Sequence, residues 1–365
     1  MRAVQTNSTI VEDDVSDAPA RVAQEPSISF RSILWPIILG LGVLSVIGYF
    51  TFEPRAFEQM MESLNPWIMS AALGSVGLRI LMGGWRLSFV SHGKLSFRGG
   101  IKGQLAWDFA SNITPSLVGG APIAAYYIAR STNEKSDSPV RMGEVTAFMM
   151  FIMLLDQSWF ALSVPVILVT ATFMDVIPSS AGSVGMITAV VYFIMFMGWT
   201  GLFAYGTLFR PHLLGRVVDT VCRLPFLRHF RERVQSEMGE YASRAGHIRS
   251  QPISFFVRGL LLTGATWMAR YILVVFIVWS IFPDVDQLLL FLRSMAMTVG
   301  SLVMPTPGGA GGVEGLYVLF FKSMMPTAFL APTLFAWRLL GYYIFLAFGV
   351  LLSTRHVQRS IRKKD

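Results

Sequence analysis

Seven ionisable side chains stand within or beside otherwise apolar stretches of this chain: Arg79, Asp108, Asp156, Arg270, Arg293, Glu314 and Arg338. In hydrocarbon such a group is costly unless it is paired or faces water, so a charge kept there marks a path for a substrate or an ion. Arg270 and Arg338 lie well inside their stretches and are the foremost candidates. Arg79 and Asp156 follow, while Asp108 and Arg293 stand nearer to an end. An arginine in such a place can hold phosphate through its planar fork of donors. Glu314 can cap the first turn of a helix, pair with a buried arginine, or hold an amine or a proton. No Ser-His-Asp or Cys-His set and no nucleophile elbow accompanies these residues, so catalysis is not expected. The single cysteine, Cys222, rules out an internal disulfide or a CxxC site, and His92, His212, His229, His247 and His356 are scattered among polar segments. Neither a metal nor a cofactor is expected.

The elements that must position these charges are interrupted helices. Pro305, Thr306, Pro307, Gly308, Gly309, Ala310, Gly311 and Gly312 precede Val313 and Glu314 within a hydrophobic region. Proline removes a backbone donor and each interior glycine costs about 1 kcal/mol relative to alanine, so no ordinary helix runs through. The flanking stretches, 288–304 and 313–321, are each short for a crossing of about 20 residues. A broken helix at membrane depth is tolerated where it is buried in protein or lines a wet cavity. Thr114, Pro115, Gly119 and Gly120 break residues 103–127 in the same way. The helices that restart after each break are expected to aim free N–H groups toward it, an arrangement suited to a phosphate.

The whole chain is 53% hydrophobic and only 14% charged, and its mean hydropathy is +0.54. A soluble chain has about a quarter of its residues charged, so this one reads as a polytopic membrane protein. Six spans are expected, at 33–52, 66–85, 143–173, 181–209, 260–282 and 330–352, with 53–65 a polar loop and 86–102 a basic connection. The acidic stretch 1–31 is unlike a cleavable signal peptide and reads as a disordered, retained tail. The net charge of +8 sits at the edges of hydrophobic spans, which favours lipid headgroups over nucleic acid as its partner. Lys and Arg concentrate in 86–102, 130–141, 210–258 and 355–364, so both termini and the long connector 210–258 are expected in the cytoplasm.

The two breaks share Thr-Pro-x-x-x-Gly-Gly at an offset of 306 − 114 = 192. Arg79 and Arg270 agree at 270 − 79 = 191, as do Lys102 and Arg293 at 293 − 102 = 191. Each half then reads span, span, broken pair, span, and the odd number of crossings inverts one half, 32–173, against the other, 181–354. The expected fold is all-α and polytopic, with about six full spans and two re-entrant broken pairs in an inverted repeat, a recurring plan of secondary transporters.

The run from Pro305 to Glu314, with Arg338 in the following span, resembles the signature of the lysylphosphatidylglycerol synthase transmembrane family, also called flippase-like domain proteins. Ile113, Thr114, Pro115 and Ser116, with Gly119, Gly120 and Pro122, resemble its upstream motif, and the resemblance covers roughly 33–354. It implies a bacterial inner-membrane protein that handles a phospholipid or lipid-linked intermediate between leaflets. The family often carries a polar or acidic residue after the first Gly-Gly and a basic one soon after; Ala121 and Ala124 or Ala125 stand there here. A soluble aminoacyl-transferase domain is not expected after the last span, so lysyl transfer is not expected either. A membrane-embedded transferase, or the lipid-presenting partner of one, stands as the alternative.

Overall fold

The computed structural model describes residues 30–51, 53–114, 120, 124–126, 128–129, 142–179, 182–210, 241–304 and 306–349. Pro115, Gly119, Pro305, Cys222 and both chain ends lie outside them. Among the described residues the protein is helical and has no strand. The helices are α1 Phe30–Thr51, α2 Pro54–Ser63, α3 Pro66–Val90, α4 Phe97–Ile113, α5 Met142–Thr170, α6 Gly182–Ala204, α7 Ile253–Trp279, α8 Gln287–Ser301, α9 Gly312–Phe321 and α10 Leu330–Arg338. Wide π-turns extend α6 over Tyr205–Phe209 and α10 over Leu339–Tyr343.

Five helical segments are long and apolar enough to cross a membrane: Pro66–Val90, Met142–Thr170, Gly185–Phe209, Ile253–Trp279 and Thr327–Gly349. The first expected crossing corresponds to α1, of which Ile37–Thr51 is a shorter apolar helix. Local chemistry sets the starts. Asn65 Oδ1 accepts from the backbone N–H of Trp67 and Ile68 ahead of Pro66, which fits the first turn of α3. Ser96 and Asp286 cap α4 and α8 in the same manner.

The structure differs from the expected connections in two places. Residues 53–65 are not a loop, because Pro54 opens helix α2, whose Met60 is buried while most of its neighbours face out. Residues 86–102 are not a simple connection either. Helix α3 continues to Val90, so Arg86 belongs to a membrane helix and is 3% exposed.

Helices α3 and α7, which the offset of 191 pairs, run antiparallel. The N–H of Asn65 at the start of α3 donates to the carbonyl of Ser280 past the end of α7 at 2.7 Å. Further along, Arg86 Nη1 donates to Thr263 Oγ1 at 3.3 Å. Arg79 precedes Arg86 by seven residues and Arg270 follows Thr263 by seven (86 − 79 = 270 − 263 = 7), so the two arginines stand level where the helices pass. Glycines allow the neighbouring helices to close in: a Cβ on Gly100 of α4 would run into the carbonyl of Gly84 on α3, and one on Gly264 of α7 would meet the Trp159 ring of α5 at 2.6 Å. This close approach brings α4 and α5 to the two sides of the α3–α7 pair.

Candidate functional site

Helices α3, α4, α5, α7, α8 and α10 and the second break line a partly open cavity of about 260 Å³. Its wall carries Arg79 and Arg86 of α3, Gln104 and Asp108 of α4, Asp156 of α5, Arg270 of α7, and Arg338 of α10, beside Gly308 and Gly309 of the break. Five of the seven charges singled out from the sequence line it directly, and Glu314 joins them through Arg338.

Most of these charges are already matched. Arg79 Nη2 lies 2.5 Å from Asp108 Oδ1, and Gln104 Nε2 donates to the other oxygen of Asp108 at 3.2 Å. Arg86 pairs with Asp156, which also accepts from Trp267 Nε1 at 2.8 Å. Glu314, 1% exposed, uses both oxygens: Oε1 is 2.7 Å from Arg338 Nη2, and Oε2 accepts from the N–H of Gly311 at 2.7 Å. Capping and pairing with arginine, separate possibilities on the sequence, are here one arrangement. The positive end of α9 is therefore already met by a carboxylate of its own chain, which takes the place expected for a bound phosphate.

Arg270 stands apart. Its guanidinium lies over the Trp267 ring, 5.2 Å from the centroid, and it forms no ion pair with a carboxylate among the described residues, the charge of Asp108, which is held by Arg79, acting on it from further off. The remaining residues of the first break, 115–119 and 121–123, contain no ionisable side chain. Among the described residues four arginines thus face three carboxylates around this cavity, and the arginine outside an ion pair is Arg270.

The second break has the conformation that its glycines dictate. Gly308, Gly309 and Gly311 have φ of 59°, 68° and 88°, a region that side chains with Cβ rarely adopt. Thr306 Oγ1 donates to the carbonyl of Ala310 at 2.8 Å, the carbonyl of Pro307 accepts from Ala310 N–H, and the carbonyl of Gly308 accepts from Arg338 Nη1 at 3.2 Å. A Cβ on Gly312 would strike the Met304 side chain. In the first break, Thr114 Oγ1 donates to the carbonyl of Ala110 at 2.8 Å, and Gly120 lies so close to α4 that a Cβ would meet the backbone of Ala110 and Ser111. Tyr342 ties the breaks together: its hydroxyl donates to the carbonyl of Asn112 at 3.2 Å, and its ring fills the space over Gly308.

Arg293 does not belong to this site. It is 1% exposed and forms a clamp elsewhere, donating to the carbonyl and Oδ2 of Asp175, the carbonyl of Phe320 at 2.8 Å and Ser323 Oγ at 2.6 Å. Its place on α8, six residues into the helix, lets the long side chain reach the end of α9 and the turn after α5 rather than the cavity. Arg86, conversely, which the sequence places in a connection, lines the cavity and pairs with Asp156. Its spacing of seven from Arg79 was the available signal, since two helical turns return a residue to the same face. Gln104, four before Asp108, carries the same kind of signal.

Comparison with known proteins agrees with this arrangement. A UPF0104 membrane protein of Archaeoglobus fulgidus is 23% identical over 268 residues, which is 71% of this chain and 76% of that protein. A family model described as the lysylphosphatidylglycerol synthase TM region matches residues 37–349, a stretch that includes every helix lining the cavity. With both breaks, the Glu314–Arg338 pair and all five long apolar segments inside that match, the chain belongs to the family of the lysylphosphatidylglycerol synthase transmembrane region.

Proposed function

We propose that this membrane protein moves a phospholipid or a lipid-linked intermediate from one leaflet to the other without modifying it. The observation that carries this reading is the cavity at the level of Arg79 and Arg270, walled by helices from both halves of the chain and holding one arginine without an anionic partner. A phosphate crossing hydrocarbon alone would be an unpaired charge at a cost of several kcal/mol or more. Fixed donors at mid-height lower that barrier. The broken helices serve the same end, since they place backbone rather than side chains beside the cavity. Lys94, Arg98 and Lys102, past the end of α3, and the basic segments 130–141, 210–258 and 355–364 support an orientation with both termini in the cytoplasm, which fits a bacterial inner membrane.

The test is reconstitution into liposomes that contain lipids fluorescent on one acyl chain, with an impermeant quencher reporting how much of each lipid becomes accessible with time. The purified protein is expected to raise the rate well above that of protein-free vesicles, and Gly312→Leu to remove most of the gain. Equal rates with and without protein over a broad lipid panel, together with a chemically altered lipid when donor substrates are added, would replace this reading with a transferase.

A further inference from the structure

The charge balance of the cavity names a ligand class. We propose that the site selects a small lipid headgroup carrying one net negative charge, and that Arg270 is the residue that makes the choice; the inference rests on the transport reading above.

Two arguments lead there. Arg79, Arg86 and Arg338 each have a carboxylate at ion-pair distance, so their charges are internally compensated. Arg270 lies over the face of Trp267, which softens the environment of a cation but brings no net charge, and Asp108, whose charge also acts on it, is already paired with Arg79. A ligand with one negative charge neutralises the site, a zwitterion leaves the excess in place, and a cationic headgroup doubles it. The second argument is size. At about 260 Å³ the cavity falls below the roughly 300–1,000 Å³ of sites for drug-sized ligands. That volume suits a phosphodiester with a small alcohol.

The experiment has a binding arm and a transport arm. In detergent, the purified protein is titrated with three dioctanoyl lipids: phosphatidylglycerol, with one negative charge; phosphatidylcholine, with none; and lysyl-phosphatidylglycerol, with one positive. Native mass spectrometry reads occupancy. Phosphatidylglycerol is expected to bind about tenfold more tightly than the zwitterion, and the cationic lipid more weakly still. Arg270→Gln should bring the three within about twofold of one another, and Arg270→Lys should restore the order. In liposomes, acyl-labelled versions of the same lipids should be moved in the same order. Equal movement of all three by both the unaltered protein and Arg270→Gln overturns the selectivity and leaves the transport reading standing. Charge-ordered binding lost in Arg270→Gln, with no lipid moved, keeps the site and removes transport. If Arg270→Gln fails to fold, the order of binding in the unaltered protein and in Arg270→Lys decides the question, because equal occupancy by the three lipids in both would end the proposal.

Discussion

Glu314 and Arg338 show what a buried pair contributes when both ends are held. The carboxylate touches Arg338 with one oxygen and Gly311 N–H with the other, and Arg338 in turn donates to the Gly308 carbonyl. The pair is therefore part of the break as well as of the cavity. Glu314→Gln or Arg338→Met alone strands a charge, and each should cost about 3–5 kcal/mol of stability, read as a lower unfolding temperature in detergent. The double variant should lose less than the sum of the two, with a coupling of about 1–3 kcal/mol; additive losses would show that the two act independently. Both residues were legible from sequence because each is an isolated charge in an apolar stretch. Arg86 was not, because a charge close to the end of an apolar run looks like a loop residue until the helix is seen to continue through it to Val90. Arg293 was singled out for the same reason that Arg270 was, and only the three-dimensional path of its side chain separates a clamp on Asp175 from a cavity wall.

Among the elements, α3 and α4 depend on glycine where they touch. Gly100→Leu on α4 would push against the backbone of Gly84, separating Asp108 from Arg79, whereas Gly74→Leu on α3 meets nothing within 4 Å. The first should abolish transport and lower stability by about 1–3 kcal/mol or more, as overpacking does; the second should leave both nearly unchanged. Both are measured on the same purified protein. Gly308→Ala tests the break directly, since it adds strain at φ 59° and a methyl group against Tyr342. Its expected outcome is lost transport with membrane abundance retained. The breaks were legible as breaks because Pro and Gly cannot continue a helix in either place. What each glycine abuts was not, because Tyr342, Met304 and Ser111 are set beside them by packing rather than by spacing. Helix α2 escaped notice for the opposite reason: its few apolar residues left a sequence that reads as polar connection, although Pro54 is well suited to a first turn.

At the scale of the whole molecule, one end gathers segments that are far apart in the chain. The turn after α3, the start of α5 and the helical residues 241–249 meet there: Lys94 and Arg244 both reach Glu144, at 2.5 and 3.0 Å, and the His92 ring stacks on Phe255 and meets His247 edge-on at 5.3 Å. Burial first, and then the charge of Arg244 and the neighbouring His247, lower the pKa of His92 below its ordinary 6.5. A base with a lowered pKa stays neutral in the folded protein while the unfolded chain takes up its proton. Stability from this contact is thus complete above about pH 6.5 and declines as the pH falls toward the lower value in the fold. The unfolding temperature of the unaltered protein should drop across that window more than that of His92→Asn, a residue that tolerates the φ of 53° found here. Identical profiles would remove His92 from the account. Five of the six expected crossings and their order were readable from hydropathy, and the antiparallel packing of α3 on α7 from the offset that pairs Arg79 with Arg270, whereas the shared end of the molecule was not, since no local pattern links residue 92 to residue 247. The last crossing carries a further consequence. A π-turn arises when one residue more than an α-helix needs is accommodated between two helical segments, and the turn at Leu339–Tyr343 directly follows Arg338. Loss of a single codon within it should let the helix close up in regular form, leaving Arg338 and the residues beyond Tyr343 on their present faces, whereas the same loss in α7 would turn everything downstream by about 100°. One residue of that turn is surplus to a regular helix, and what disappears with it is the widened backbone beside the arginine, together with the link between the two breaks if the residue lost is Tyr342.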